Sequence, residues 1–203
     1  MTWGKRCLDV SVAALMLVLL SPVILIVAVA IAVLDGRPIF YASERMKTRH
    51  QAFTLLKFRT MHASGARQGV TGGDKAGAIT RTGRWLRAVR LDELPQLLNI
   101  LRGDISLVGP RPPLRLYVEA APELYDQVLQ ARPGLTGLAT LMYHRHEADI
   151  LAACTTPAQT HEAYLRRCVP AKARLDLIYL RHQSVCFDLW LLWRTICSVL
   201  RLG

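Results

Sequence analysis

Two adjacent carboxylates, Asp92 and Glu93, stand in the stretch Arg90-Leu91-Asp92-Glu93-Leu94-Pro95-Gln96-Leu97-Leu98-Asn99, where nearly every other charge is an arginine. Arg81, Arg84, Arg87 and Arg90 precede the end of the pair, and Arg102, Arg111 and Arg115 follow it. The spacing predicts that Asp92 caps a helix. Pro95 suits a first helical turn, and Leu94, Leu97, Leu98 and Leu101 make an apolar stripe. A carboxylate at a helix N-terminus, facing positive charge, stays ionised and has a bound anion within reach. That is the place of a nucleophile or metal ligand beside a phosphate site. A capping Asp followed by a solvated Glu fits the same residues, so the stretch by itself leaves both readings open.

Cations that could receive an anion lie on both sides. Ala52 to Met61 alternates as a strand, putting Phe53, Leu55, Lys57 and Arg59 on one face. Lys57 and Arg59 then point the same way, as a phosphate clamp needs; two exposed cations on an edge strand give the same pattern. Arg111 is held between Pro110 and Pro112, whose rings fix the backbone and lower the entropy lost on gripping a ligand. A surface proline turn is the plain alternative. Arg132-Pro133-Gly134-Leu135-Thr136-Gly137 reads as another stiffened turn ending near an arginine. Gly72-Gly73-Asp74-Lys75 lacks the framing and the G-K-[ST] ending of a nucleotide P-loop. His144 and His146, two apart with no further ligands, are too little for a metal site.

The elements that must position these groups divide into an apolar segment and a soluble body. At 203 residues the chain has the length of one ordinary domain with a small appendage. It is 52% hydrophobic yet 20% charged, so the apolar excess must be concentrated. A net charge of +11 implies an anionic partner: nucleic acid, an anionic membrane surface or phosphorylated ligands. Nucleic acid is disfavoured because no recognition motif or basic-aromatic platform accompanies the charge. Cys7, Cys154, Cys168, Cys186 and Cys197 form no C-x-x-C pair and leave an odd one over, the pattern of reduced thiols facing the cytosol.

No charge interrupts Val10 to Leu34, a run long enough to span a bilayer core of roughly 30 Å. The run is too long, and lacks the cleavage site, for a signal peptide. Lys5 and Arg6 precede it; Arg37, Arg45, Lys47, Arg49, Lys57 and Arg59 follow. Basic flanks place both ends in the cytoplasm, which a single crossing cannot do. Ser21-Pro22, near the middle, removes a backbone hydrogen bond and bends the helix, with the serine hydroxyl able to satisfy a freed carbonyl. A re-entrant hairpin is favoured over a kinked span, giving a membrane segment at 1–36 and a cytosolic domain at 37–203. In that domain, Pro38 to Ala42 and Ala52 to Met61 are expected as strands around a basic turn at Arg45 to His50. The glycine-rich stretch Ala63 to Gly83, with Gly65 and Gly69, is expected as a lid-like loop. Arg81 to Arg90, Leu114 to Gln130 and His161 to His182 are expected helical. The tail from Phe187 to Leu202, with Trp190, Leu191, Trp193 and Arg194, suits an interfacial helix or one packed on the domain. The expected class is α+β, mostly helical, with a small β-hairpin and interfacial amphipathic helices.

These motifs together resemble the bacterial sugar transferases of the monotopic phosphoglycosyl transferase family, in its minimal form without added N-terminal spanning helices. The resemblance runs from Lys5-Arg6-x-x-Asp9 and Ser21-Pro22 through Leu56-Lys57-Phe58-Arg59-Thr60-Met61, Thr82-Gly83-x-x-Leu86-Arg87 and Leu91-Asp92-Glu93-Leu94-Pro95-Gln96-Leu97. It continues through Gly103 to Pro112, Arg132 to Gly137, and Leu175-Asp176-Leu177-x-Tyr179. It implies transfer of a phosphosugar from a UDP-sugar to polyprenyl (undecaprenyl) phosphate, with release of UMP, magnesium, and a phosphosugar held covalently on an aspartate. Asp92 would be the nucleophile and Glu93 its metal-binding or acid/base partner, the two sharing magnesium with diphosphate oxygens. Lys57, Arg59, Arg87 and Arg111 would neutralise phosphate charge, and Asp176 would support the site. The pattern is broken after Gly137: the family's arginine appears one position late, as Arg145, which is carried over as a uridine or phosphate contact. The resemblance also implies the cytoplasmic face of a bacterial inner membrane, contact with anionic lipids, and room for a homodimer. A glycosyl transferase releasing UDP and a non-catalytic, membrane-anchored basic binding protein are the rival readings.

Overall fold

The computed structural model describes residues 2–62, 70 and 72–200. The expected lid residues 63–69 and 71, including Gly65 and Gly69, lie outside them, as do Arg201 and Leu202. Helix α1 (Trp3–Leu34) starts where the Thr2 hydroxyl accepts from the Lys5 N–H, and runs unbroken through Pro22. The carbonyl left free by the missing Pro22 N–H is that of Val18, and the Ser21 hydroxyl donates to it at 2.8 Å.

Both ends of α1 are fixed to the body of the protein, while its middle is bare. Near the start, Lys5 and Asp9 are buried and Ala13 packs among Ile100, Ile105, Val108, Tyr179 and Leu191. Near the end, Val27 and Ile31 pack on Phe58 and Leu86. Between them Leu15, Val18, Leu19, Leu25 and Ile26 are exposed. The basic flanks are not the free charges that a loop-counting argument assumes. Lys5 Nζ pairs with Asp188 at 2.5 Å and donates to the Val108 carbonyl and the Tyr179 hydroxyl. Arg6 donates to the carbonyls of Ile100 and Leu101, and Arg59 to those of Asp35 and Gly36.

The hairpin pairs β1 (Phe40–Met46) with β2 (Ala52–Phe58) in antiparallel register, Tyr41 opposite Lys57 and Met46 opposite Ala52. The expected turn at Arg45 therefore starts later, because Arg45 and Met46 still pair across the ladder and Met46 is buried in the core. Helix α2 (Arg81–Ala88) is capped by Thr80, whose hydroxyl accepts from the Gly83 N–H at 2.8 Å. Helix α3 (Gln96–Arg102) ends at Gly103 in the left-handed region, φ 83°.

A second sheet was not foreseen. Strand β3 (Ser106–Val108) pairs in parallel with β4 (Gly134–Thr136), inside what reads in sequence as a mere turn. A Cβ on Gly109 would lie 2.2 Å from the Arg132 carbonyl oxygen, so this close approach requires glycine. The expected helix after Leu114 is two, α4 (Arg115–Ala120) and α5 (Pro122–Val128). Pro122 forces the preceding Ala121 out of helical geometry, to φ −141° and ψ 62°. Helices α6 (Leu138–Ala152), α7 (Pro157–Ala163), α8 (Val169–Arg181) and α9 (Val185–Leu200) complete the fold, a π turn at Tyr164–Cys168 joining α7 to α8. Mostly helical architecture with a small hairpin and one long apolar N-terminal helix matches the expectation. The main core joins Met46, Tyr117, Leu151, Tyr164 and Cys168.

Candidate active site

Asp92 and Glu93 sit in a single 3₁₀ turn, Leu91–Glu93, preceded by Arg90 in the left-handed region at φ 61°. That conformation is uncommon for a residue with a Cβ and clusters at functional sites. Asp92 is not the helix cap the spacing suggests. Helix α3 starts only at Gln96, with Pro95 at its cap position and no side-chain cap. The backbone tightens through i→i+3 bonds, Leu94 N to the Leu91 carbonyl and Leu97 N to the Leu94 carbonyl, so no cap is needed.

The two carboxylates have opposite fates although both are buried. Glu93 Oε1 accepts from Lys57 Nζ at 3.1 Å and from the Arg111 guanidinium, while Oε2 faces Arg90 at 3.8 Å. Burial acts to raise the Glu93 pKa, but Arg111, Lys57 and Arg90 overcome it and hold the carboxyl well below its ordinary range. Asp92 has no hydrogen-bond or ion-pair partner among the described residues. Burial and the neighbouring Glu93 charge raise its pKa, against the pull of Lys57, Arg87 and Arg111.

Each cation is delivered by a separate element. Lys57 comes from the end of β2, where burial lowers its pKa and Glu93 opposes the shift. Arg111 follows β3 on a turn whose Pro110 carbonyl accepts from the Gly134 N–H at 2.8 Å, while Gly109 N donates to Thr136. The Arg132-to-Gly137 motif thus acts as the strand that seats Arg111. Arg87 reaches back from α2 to donate from Nε to the Thr60 hydroxyl at 2.8 Å. Gly83 permits this packing, since a Cβ there would lie 2.3 Å from the Thr60 carbonyl oxygen. Arg59 lines the same space, although one of its terminal nitrogens is engaged by the Asp35 and Gly36 carbonyls.

These groups border one cavity of about 570 Å³, within the range of ligand sites. Eight Lys or Arg residues line it against four Asp or Glu, so it favours an anion. Arg145 is not among the lining residues; on the same helix His144, exposed like Arg145, and Glu147, three residues further on, border the cavity instead. The position one before Arg145, where the family pattern has its arginine, is therefore the one that faces the cavity, and here it is His144. Burial together with Arg90 and Arg111 lowers the His144 pKa. Asp176 does reach the cavity, from α8, beside Lys172 and Tyr164. Sequence reasoning also missed Arg45 and Arg90 as lining groups. Alternation along β1 carried the signal for Arg45, since Tyr41, Ser43 and Arg45 share a face once the strand extends to Met46.

A cation-rich cavity beside a long apolar helix, with Asp92 unpartnered at its cationic end among the described residues, suits phosphorylated ligands. The chain belongs to the bacterial sugar transferase family, whose model matches residues 1–202. It is similar to the UDP-glucose:undecaprenyl-phosphate glucose-1-phosphate transferase of Caulobacter vibrioides, 38% identical over 97% of this chain and 69% of that protein. The exopolysaccharide production protein ExoY of Sinorhizobium fredii is 36% identical, covering 97% of this chain and 85% of the relative. The undecaprenyl-phosphate glucose phosphotransferase of Komagataeibacter xylinus is 34% identical over 95% of this chain but only 35% of its own length. The apolar helix α1 is consistent with membrane association.

Proposed function

We propose that this enzyme transfers a phosphosugar from a UDP-sugar to undecaprenyl phosphate, releasing UMP, at the start of exopolysaccharide or related surface-glycan assembly. The observation that carries the reading is the contrast within the carboxylate pair: Glu93 is paired with Lys57 and Arg111, while Asp92 has no hydrogen-bond or ion-pair partner among the described residues. In the first displacement an Asp92 oxygen attacks the phosphorus nearest the sugar. The bond from that phosphorus to the bridging oxygen breaks, and UMP leaves with the electron pair. In the second, an oxygen of the lipid phosphate attacks the same phosphorus and the Asp92 carboxylate is restored. Lys57, Arg87 and Arg111 lie where diphosphate charge would be neutralised, and Glu93 fixes two of these cations. Asp92, adjacent to Glu93 in the chain, would be the residue to hold a magnesium ion together with the donor, and the ion would supply further charge neutralisation there.

The bare middle of α1 between two anchored ends supports a re-entrant seat in the cytoplasmic leaflet. A helix crossing the bilayer would carry its ends to opposite faces, yet Lys5 and Asp35 both bond the same body. Exposed Leu189, Trp190, Trp193 and Ile196 on α9 fit an interfacial role, since Leu191 and Asp188 face inward. The acceptor phosphate would then arrive at the membrane surface.

The test is to incubate the purified protein with magnesium, undecaprenyl phosphate and a panel of UDP-sugars, assaying UMP and UDP separately. Lipid-dependent UMP release that disappears in Asp92→Asn is expected; UDP release would establish sugar transfer without the phosphate. For topology, Thr2→Cys in a background without the native cysteines should be inaccessible to periplasmic thiol reagents in sealed cells. Labelling there would establish a crossing helix.

A further inference from the structure

The cavity has a second polar pole that the two displacements leave unused. It is built by α6, the π turn and α8. Glu147 Oε2 accepts from Lys172 Nζ at 2.9 Å, and Lys172 donates also to the Tyr164 hydroxyl at 3.2 Å. One turn along α8, Asp176 is only 6% exposed and lines the same cavity, and its Oδ1 has no hydrogen-bond partner among the described residues. A buried carboxylate oxygen left without a donor is costly, and natural structures rarely keep one without a use. Val128, Val169 and Ala173 supply an apolar wall beside these groups.

The chemistry of this pole differs from that of the Asp92 end. It offers an ammonium, a phenol and two carboxylates close together, a mixture of donors and acceptors instead of an excess of cations. A phosphate would be repelled by the carboxylates. A ring bearing neighbouring hydroxyls suits it, because each hydroxyl both donates and accepts. We propose that Asp176, with the Lys172–Glu147 pair, forms the subsite that binds the hydroxyls of the transferred sugar and discriminates among sugars. The inference rests on the proposed donor being a UDP-sugar. The ribose of the same donor carries neighbouring hydroxyls too, so the test separates the two rings. Burial pushes the Asp176 carboxyl up to about 7, against Lys172 and an Ala139 backbone hydrogen bond, so near neutral pH it can both donate and accept.

Calorimetric binding to the full-length protein in detergent, with magnesium, compares UMP with UDP-glucose and UDP-N-acetylgalactosamine. Asp176→Asn is expected to weaken the bound UDP-sugar by roughly tenfold and to leave UMP unchanged, the effect of losing one well-formed hydrogen bond. Lys172→Met, which leaves Asp176 in place, should act in the same direction and alter the preference between the two donors. Equal weakening of UMP would assign the pole to the ribose and overturn the sugar subsite. Unchanged donor affinity in both variants, with the thermal midpoint retained, would overturn it as well. If the wild-type protein bound UMP but no UDP-sugar in the panel, the proposed donor class itself would fall and the subsite with it. Wild-type donor binding without any response to these substitutions would remove the subsite alone.

Discussion

The two poles of the cavity bury carboxylates in opposite ways. At one end Glu93 is surrounded by Lys57, Arg90 and Arg111 and stays ionised in spite of burial. At the other, Asp176 has Lys172 nearby but shares it with Glu147 and Tyr164, and burial prevails. Asp92 lies between these cases, raised by burial and by Glu93 yet drawn down by three cations. Depth alone does not set the charge of an interior acid; the number of cations that it does not have to share does.

The largest effect should come from Asp92→Asn, which removes the carboxylate at the cationic end that has no partner among the described residues. Turnover should fall by at least about 10³-fold, with a thermal midpoint no lower than that of the wild type, since a buried charge is relieved. Retained activity in a UMP-release assay would break the assignment. Glu93→Gln should act on both fold and rate. It strips Arg111 and Lys57 of their shared partner, lowering the thermal midpoint and cutting turnover by roughly 10²-fold. The same substitution removes the negative neighbour of Asp92 and frees two cations toward it. The acid limb of the pH–rate profile should therefore move to lower pH; in the wild type it should lie above the ordinary carboxylate range.

Arg111→Lys keeps the charge but loses the planar fork held by the Gly109–Pro110 turn, and should raise the donor KM about tenfold with a smaller change in kcat. The remaining effect is on stability instead of rate, and belongs to the other pole. Folded Asp176 holds its proton up to about pH 7, against about 3.8 for the ordinary group. Between those values the native state binds more protons than the unfolded one, so stability falls as pH rises through the window and levels off above it. Asp176→Asn should flatten that slope, a difference on the order of 4 kcal/mol at its upper limit. An unchanged slope in thermal melts from pH 4 to 8 would place the Asp176 carboxyl in the ordinary range.

Local spacing determined much of what positions the site. The apolar run of α1, the serine that compensates Pro22, the hairpin carrying Lys57 and the proline-bounded turn at Arg111 all follow from neighbouring residues and steric rules. Only tertiary structure decided that Lys5, Arg6 and Arg59 bond inside the protein and do not serve as free flanking charge. Their partners lie far away in the chain, and no local pattern announces them. Tertiary structure likewise turned Arg132 to Gly137 into a strand, because parallel pairing with β3 depends on two segments meeting through glycine. It set the helical phase of α6 that puts His144 and Glu147 on the cavity and leaves Arg145 off it. The chemistry of Asp92 and Glu93 was written in residue type, but their division of labour was not. Adjacent carboxylates look alike in a sequence, and the cations that distinguish them arrive from β2, from Arg90 and from the turn after β3.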